Sequence, residues 1–393
     1  MAFLGFGAVV SLSGWVPEQI MGGPPDRLLH LLAEVALVVL LFLDAAKINT
    51  LVLTRWHSWP MRMLLLGMPL AMLFSAGLAA ALFPGWPLTH ALLIAAILTP
   101  TDLALGQPVV SNPDVPERAR DALTTEGGLN DGMALPVILM LAFLAAPVAT
   151  APDGGWALFG LEQITLGPLA GMLLGCIGGI ALLAAQARGW TSETHEGIAA
   201  LSLAALAYLT AVSVGGNGFI GAFSAGLVFG AVVKDRCAFV FEFTESEGQF
   251  LAWAAFFLLG ATLLPGALAA LDLQMLALVL GTLFVTRPAA IWLSLMGSGA
   301  IATDRLFFGW FGPHGLATAL FALLVVDQLA PEFGEQVLHV AVNTVWISAL
   351  LHGLSAGPGA RWYARKSRDA TGCSGLAAAA LRQQSADGED LRR

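Results

Sequence analysis

Four ionisable residues lie where apolar sequence gives no reason for them: Asp102, Glu126, Asp131 and Arg287. Asp102 lies in ILTPTDLALGQP, Glu126 and Asp131 in TTEGGLNDGMALP, and Arg287 in VLGTLFVTRPAAIWL. Charge at mid-bilayer is costly and usually marks an ion or proton path. Glu126 and Asp131 are separated by about 500° of helix, so they face different directions and do not share one ion. Arg287 has no carboxylate close by in its own apolar segment. That pairs it with Glu126 as a buried ion pair, whose breakage would strand a charge. Asp131 is then left without a counter-charge. Low dielectric penalises its ionised form, so it can hold either a proton or a cation near neutral pH. One carboxylate, two exclusive ligands and access from alternate sides are the requirements for exchange. Asn130, beside it, can hydrogen-bond interrupted backbone without adding charge. Glu34, Asp44 and Lys47 sit nearer segment ends and read as interfacial.

The elements that position these residues are membrane helices. The chain has 393 residues, 57% hydrophobic and 11% charged, with a mean hydropathy of +0.78. That is too little charge to cover a soluble surface. Apolar segments fall near 1–20, 28–48, 61–83, 87–110, 121–147, 163–187, 195–214, 217–234, 249–270, 272–296, 304–327 and 333–357. Most are near the length of about 20 residues that crosses a bilayer as a helix, and the short alternating strands of a barrel are absent. The expected fold is an all-α polytopic membrane protein of about twelve spans.

The loops alternate in charge. One set carries Lys47, Arg55 and Arg62, then Arg118 and Arg120, Arg188, Lys234 and Arg236, Arg305, and Arg361 through Arg368. The other is poor in base and often acidic, with Asp153, Asp272, Asp327, Glu332 and Glu335. The positive-inside rule places the first set, and both termini, in the cytoplasm, with the inner membrane of a bacterium as the expected location. The polar tail from about 358 contains GLAAAALRQQ, which suits a short helix, although an irregular cytoplasmic end is the simpler expectation.

The fourth and eleventh segments carry helix breakers. Pro100, Gly106 and Pro108 flank Asp102, and Gly309, Gly312, Pro313 and Gly315 interrupt FFGWFGPHGLATAL. Interrupted backbone is tolerated in a membrane only where it lines a cavity. By the topology above, the two broken segments run in opposite directions. That is the pattern of inverted repeats with two discontinuous crossing helices in a secondary transporter.

Other classes find no support. Cys176, Cys237 and Cys373 lack metal or disulfide spacing, and there is no Walker loop, no HExxH motif and no cleavable signal peptide. No enzyme activity, cofactor or nucleic-acid partner is expected, and the surrounding partners are lipids.

TPTDLALG, EGGLNDG, TRP, FFGWFGPHGLA, ALLHGLSA and GNGFIGAFSAGLVFG resemble the monovalent cation:proton antiporters of the electroneutral NhaP and Na+/H+ exchanger branch. The resemblance spans residues from about 1 to 358, with the motifs in order. It implies a homodimer with elevator-like exchange. A dimerisation scaffold would comprise 1–60 and 190–271, an ion-translocating core 61–147 and 272–357, a linking helix 148–189 and a tail 358–393. Asp131 would be the ion and proton carrier, with Asn130 completing the functional dipeptide. Thr101 would join Asp131 in binding Na+, Asp102 would balance helix-end dipoles, and Glu126–Arg287 would be the stabilising pair. Asn130 in place of a second Asp implies electroneutral exchange.

Gly127 stands where the family often has a serine hydroxyl. His314 stands in GPHG, where the family has an arginine; both a pH-sensing role and a polar filling role remain open for it. Members commonly begin with one further helix, so the start is either shortened or consistent with a cytoplasmic N-terminus. Na+ or Li+ is the leading cation, with K+/H+ exchange by the same fold and a non-transporting relic or sensor as alternatives.

Overall fold

The computed structural model describes residues 2–14, 27–48, 58–146, 156–233 and 238–390. Arg55, Asp153, Lys234 and Arg236, used above to orient loops, lie outside them. Among the described residues all regular structure is helical. The helices are α1 (Ala2–Leu12), α2 (Arg27–Ala46), α3 (Trp59–Leu82), α4 (Leu88–Ile97), α5 (Leu103–Val110) and α6 (Glu117–Ala145). Then come α7 (Trp156–Ala187), α8 (Glu193–Ser213), α9 (Gly218–Val233), α10 (Ala238–Thr262), α11 (Leu264–Ala269) and α12 (Leu273–Ser294). The last are α13 (Ala302–Trp310), α14 (Leu316–Val326) and α15 (Pro331–Asp390). Six helices among the described residues are long and apolar enough to cross a bilayer. Helix is the form demanded there, because lipid offers the backbone no other hydrogen-bond partner.

Helices α3 and α12 each carry a π-turn, at Met63–Gly67 and Thr282–Thr286. Each π-turn ends two residues before a proline, Pro69 or Pro288. A proline ring lacks a donor and clashes with the carbonyl one turn back, and widening that turn accommodates it.

The helices pack in two groups. In the first, α9 lies between α7 and α2, while α1 packs along α10. Glycines let these backbones touch: a Cβ on Gly171 would stand 2.0 Å from the Gly221 carbonyl oxygen. On the other face of α9, a Cβ on Gly226 or Gly230 would meet Phe42 O at 2.1 Å or Ala46 O at 2.0 Å. Close approach through small residues is how membrane helices gain contact without a hydrophobic driving force. The segment expected as a linking helix, α7, packs lengthwise along α9 and α8. In the second group, α3 to α6 pack with α12 to α15. The groups meet where α2 contacts α6 and α14.

One expectation needs correction. The helix that begins at Pro331 does not end near 357 but runs on to Asp390. The Ala, Arg, Lys and Gln of this stretch are strong helix formers, so an existing helix propagates through it without a new nucleus.

Candidate functional site

The fourth and eleventh apolar segments are each split, α4 from α5 and α13 from α14, and the two breaks touch. The Asp102 amide donates to Pro313 O at 2.7 Å, and the Leu316 amide donates to Asp102 Oδ2 at 2.7 Å. His314 Nδ1 donates to Pro100 O at 3.0 Å. Broken helices leave amides and carbonyls without intrahelical partners, and these cross-bonds satisfy them. Asp102 therefore caps the N-terminus of α14, the other broken segment, where the helix dipole favours a negative charge.

Gly312 and Gly315 are required by space. A Cβ on Gly312 would stand 2.0 Å from the Arg287 guanidinium, and one on Gly315 would stand 2.0 Å from Asp102 Oδ2. The glycines of GPHG are the room those two charges occupy.

Helix α6 presents Glu126, Asn130 and Asp131 to this region, all buried. Asn130 Nδ2 donates to Thr101 Oγ1 at 2.6 Å and to Thr101 O at 3.1 Å, which ties the helix to the first break. Its Oδ1 and the Oδ1 of Asp131 are buried with no hydrogen-bond partner among the described residues. Arg287 Nη2 lies 3.1 Å from Glu126 Oε1, with both side chains 6% exposed. A Cβ on Gly128 of α6 would stand 3.2 Å from the Asp44 carbonyl oxygen, so α2 closes on the stretch of α6 that carries Glu126 and Asp131. A small cavity of about 20 Å³ opens between Thr101, Asp102, Glu126, Gly127, Gly312 and Pro313. Such a volume holds about one water. Asp131 does not line it.

The second break is splinted by α15. Ser348 Oγ accepts from the His314 amide at 2.8 Å, His352 Nε2 donates to Trp310 O at 2.8 Å, and Trp310 Nε1 donates to Ser355 Oγ at 2.9 Å. Ser348, His352 and Ser355 recur at helical spacing, so one face of α15 supplies every bond.

The structure thus gathers Thr101, Asp102, Asn130, Asp131, Glu126, Arg287 and His314 around the two breaks. His314 is fully buried, with its ring wedged across the breaks. Three features escape a reading of the sequence alone. Asp44 looks interfacial because it sits two residues from the end of α2, yet the packing of α2 on α6 brings it against Gly128, three residues from Asp131. The Ser348–His352–Ser355 ladder carries no formal charge to mark it, although its spacing on an apolar helix was a usable signal. Glu34, also read as interfacial, is half-buried and accepts a hydrogen bond from Tyr208 Oη.

Residues 1–362 match the family described as "Sodium/hydrogen exchanger, transmembrane". The chain is 28% identical over 337 residues to the K(+)/H(+) antiporter NhaP2 of Shewanella oneidensis, covering 84% of this chain and 57% of that protein. It is 27% identical over 363 residues to the K(+)/H(+) antiporter NhaP of Alkalimonas amylolytica, covering 88% and 60%. The chain therefore spans less than two thirds of the length of these relatives. The solved structure of the sodium proton antiporter MjNhaP1 from Methanocaldococcus jannaschii superposes with a TM-score of 0.75 at 19% identity, covering 92% of each chain.

Proposed function

The chain belongs to the sodium/hydrogen exchanger family of integral membrane proteins, and on that premise we propose that it exchanges a monovalent cation for protons with Asp131 as the carrier. The observation that carries this reading is Asp131 itself, buried beside the breaks with an oxygen that has no hydrogen-bond partner among the described residues. A buried carboxylate cannot stay charged and uncompensated, so it takes up either a cation or a proton. Glu126 is neutralised by Arg287 and Asp102 by the α14 N-terminus, which leaves the exchange to Asp131. Asn130 adds no charge, so one cation moves against one proton and the cycle is electroneutral.

The cation is coordinated by Asp131 and Thr101, while Asn130 and Asp102 hold the breaks in place. His314, tied to both breaks, acts as their clamp rather than as a pH sensor.

The two repeats are α3–α6 and α12–α15, related by inversion. In support, each holds a π-turn before a proline, followed by a broken segment. Twelve spans place both termini in the cytoplasm of a bacterial cell. The first packing group is the dimerisation scaffold of a homodimer and the second the moving core; the chain is a transporter and not an enzyme.

Na+ or Li+ suits a small site with a carboxylate and a hydroxyl. K+ is the second reading, supported by the relatives named as K(+)/H(+) antiporters and by Gly127, which leaves the site without one hydroxyl. Proteoliposomes carrying a pH gradient test both. Addition of the transported cation collapses the gradient in the wild type and not in Asp131→Asn; equal activity of the two would end the carrier assignment. Half-saturating concentrations of Na+, Li+ and K+ in one preparation identify the cation.

A further inference from the structure

Outside the site above, one half-buried carboxylate faces a cavity. Glu34 on α2 shares a space of about 150 Å³ with Tyr208 of α8, Phe219 of α9, and Leu320 and Leu324 of α14. Such a volume admits a few waters. The cavity lies on the seam between the two packing groups, because α14 belongs to one and α2, α8 and α9 to the other.

Its depth can be placed. Glu34 lies ten residues before Asp44 on α2, or about 15 Å along the helix axis, and Asp44 lies against Gly128, three residues from Asp131 on α6. The direction from Asp44 to Glu34 leads away from Lys47, towards the end of α14 that leads into Asp327 and Glu332. By the positive-inside rule this is the outer side. Tyr208 Oη apart, the lining is otherwise apolar, so Glu34 is the only formal charge there among the described residues, and Tyr208 Oη supplies its hydrogen bond.

A half-buried carboxylate in an apolar seam carries a desolvation cost that stability alone gives no reason to keep. It draws cations into a low-dielectric, water-sized space, where one charge focuses counter-ions strongly. We propose that Glu34 and Tyr208 form an outer staging site for the hydrated monovalent cation, set between the external solution and Asp131. When the cation is absent, the Tyr208 hydroxyl satisfies the carboxylate. When it arrives, the hydroxyl turns its oxygen towards the ion. The proposal rests on the exchange reading for the direction of traffic, but the cation-binding step stands without turnover.

Proteoliposomes of defined orientation test it with Glu34→Gln. The half-saturating cation concentration at the outer face is expected to rise about fivefold, with the inner-face value and maximal rate unchanged. Tyr208→Phe is expected to raise the outer value as well, by less than Glu34→Gln, since the ion loses the hydroxyl oxygen while the carboxylate remains. Unchanged values at both faces, or equal changes at both, would overturn the proposal. Leu324→Cys keeps Glu34 intact and provides a measurement free of turnover. Its thiol is expected to react with a membrane-impermeant reagent from the outer side only, more slowly as Na+ or K+ is added. Reaction from the inner side, or a rate indifferent to both cations, would sink the site whether or not exchange is observed. Failure of exchange with cation protection intact would overturn only the reading on which traffic depends.

Discussion

Glu126 and Arg287 show how charge bookkeeping at single residues decides the site. They are held 3.1 Å apart, each 6% exposed, in a place where neither would be stable alone. Asp131, by contrast, has a buried oxygen with no hydrogen-bond partner among the described residues. Breaking such a pair costs about 3–5 kcal/mol, mostly because the remaining charge is buried and uncompensated. Glu126→Gln should therefore lower the thermal unfolding midpoint of detergent-solubilised protein sharply. Glu126→Gln combined with Arg287→Met should restore much of the loss, because no charge is then stranded. If the double variant is less stable than the single, the pair contributes more than neutralisation. Arg287 was legible as a cation without a neighbour in its own segment, and Glu126 as the carboxylate facing away from Asp131. Asp44 was not legible, because its place against Gly128 of α6 depends on which face of α2 packs there.

At the scale of elements, the sequence exposes interruptions better than it exposes their repair. Pro100 and the GPHG run mark where two helices must stop. They do not say that the breaks bond to each other through Asp102 and His314, or that α15 supplies Ser348 and His352 as a splint. The π-turns were equally hidden, since a proline in a helix can be accommodated by a kink as readily as by an extra residue. Packing follows the same division. Gly167, Gly171 and Gly175 are visible as a repeat of small residues, but only their approach to Asn217, Gly221 and Ala225 shows the helix they serve. Gly171→Ala would drive a methyl group to 2.0 Å from Gly221 O, so the helices must separate. Overpacking of this kind costs about 1–3 kcal/mol. The midpoint for unfolding in detergent should drop accordingly, whereas Gly77→Ala, with nothing within 4 Å of the new methyl, should leave it unchanged or slightly raised. Equal effects at the two positions would mean that α7 and α9 are not in backbone contact.

For the whole molecule, the decisive feature is the seam between the two packing groups. Within each group the contacts are close: backbone against backbone through glycine in the first, and hydrogen-bonded breaks in the second. Between them, α2 meets α14 across a cavity of about 150 Å³ and largely apolar side chains. Apolar surfaces such as these can slide past one another at little cost, while a bonded break cannot be sheared without losing its partners. Motion should therefore occur as one body against another at this seam, with Asp131 carried by α6 on the core side. Leu37 of α2 and Leu320 of α14 both line the cavity and offer positions on either side. With Cys176, Cys237 and Cys373 replaced by serine, Leu37→Cys with Leu320→Cys should lose cation-driven proton flux when joined by a short bifunctional thiol reagent. Each single cysteine variant, treated with the same reagent, should retain its flux. A bridge between Leu182→Cys on α7 and Leu206→Cys on α8, which line one cavity within the first group, should leave flux intact. Continued transport by the bridged α2–α14 protein would mean that the seam does not move during exchange.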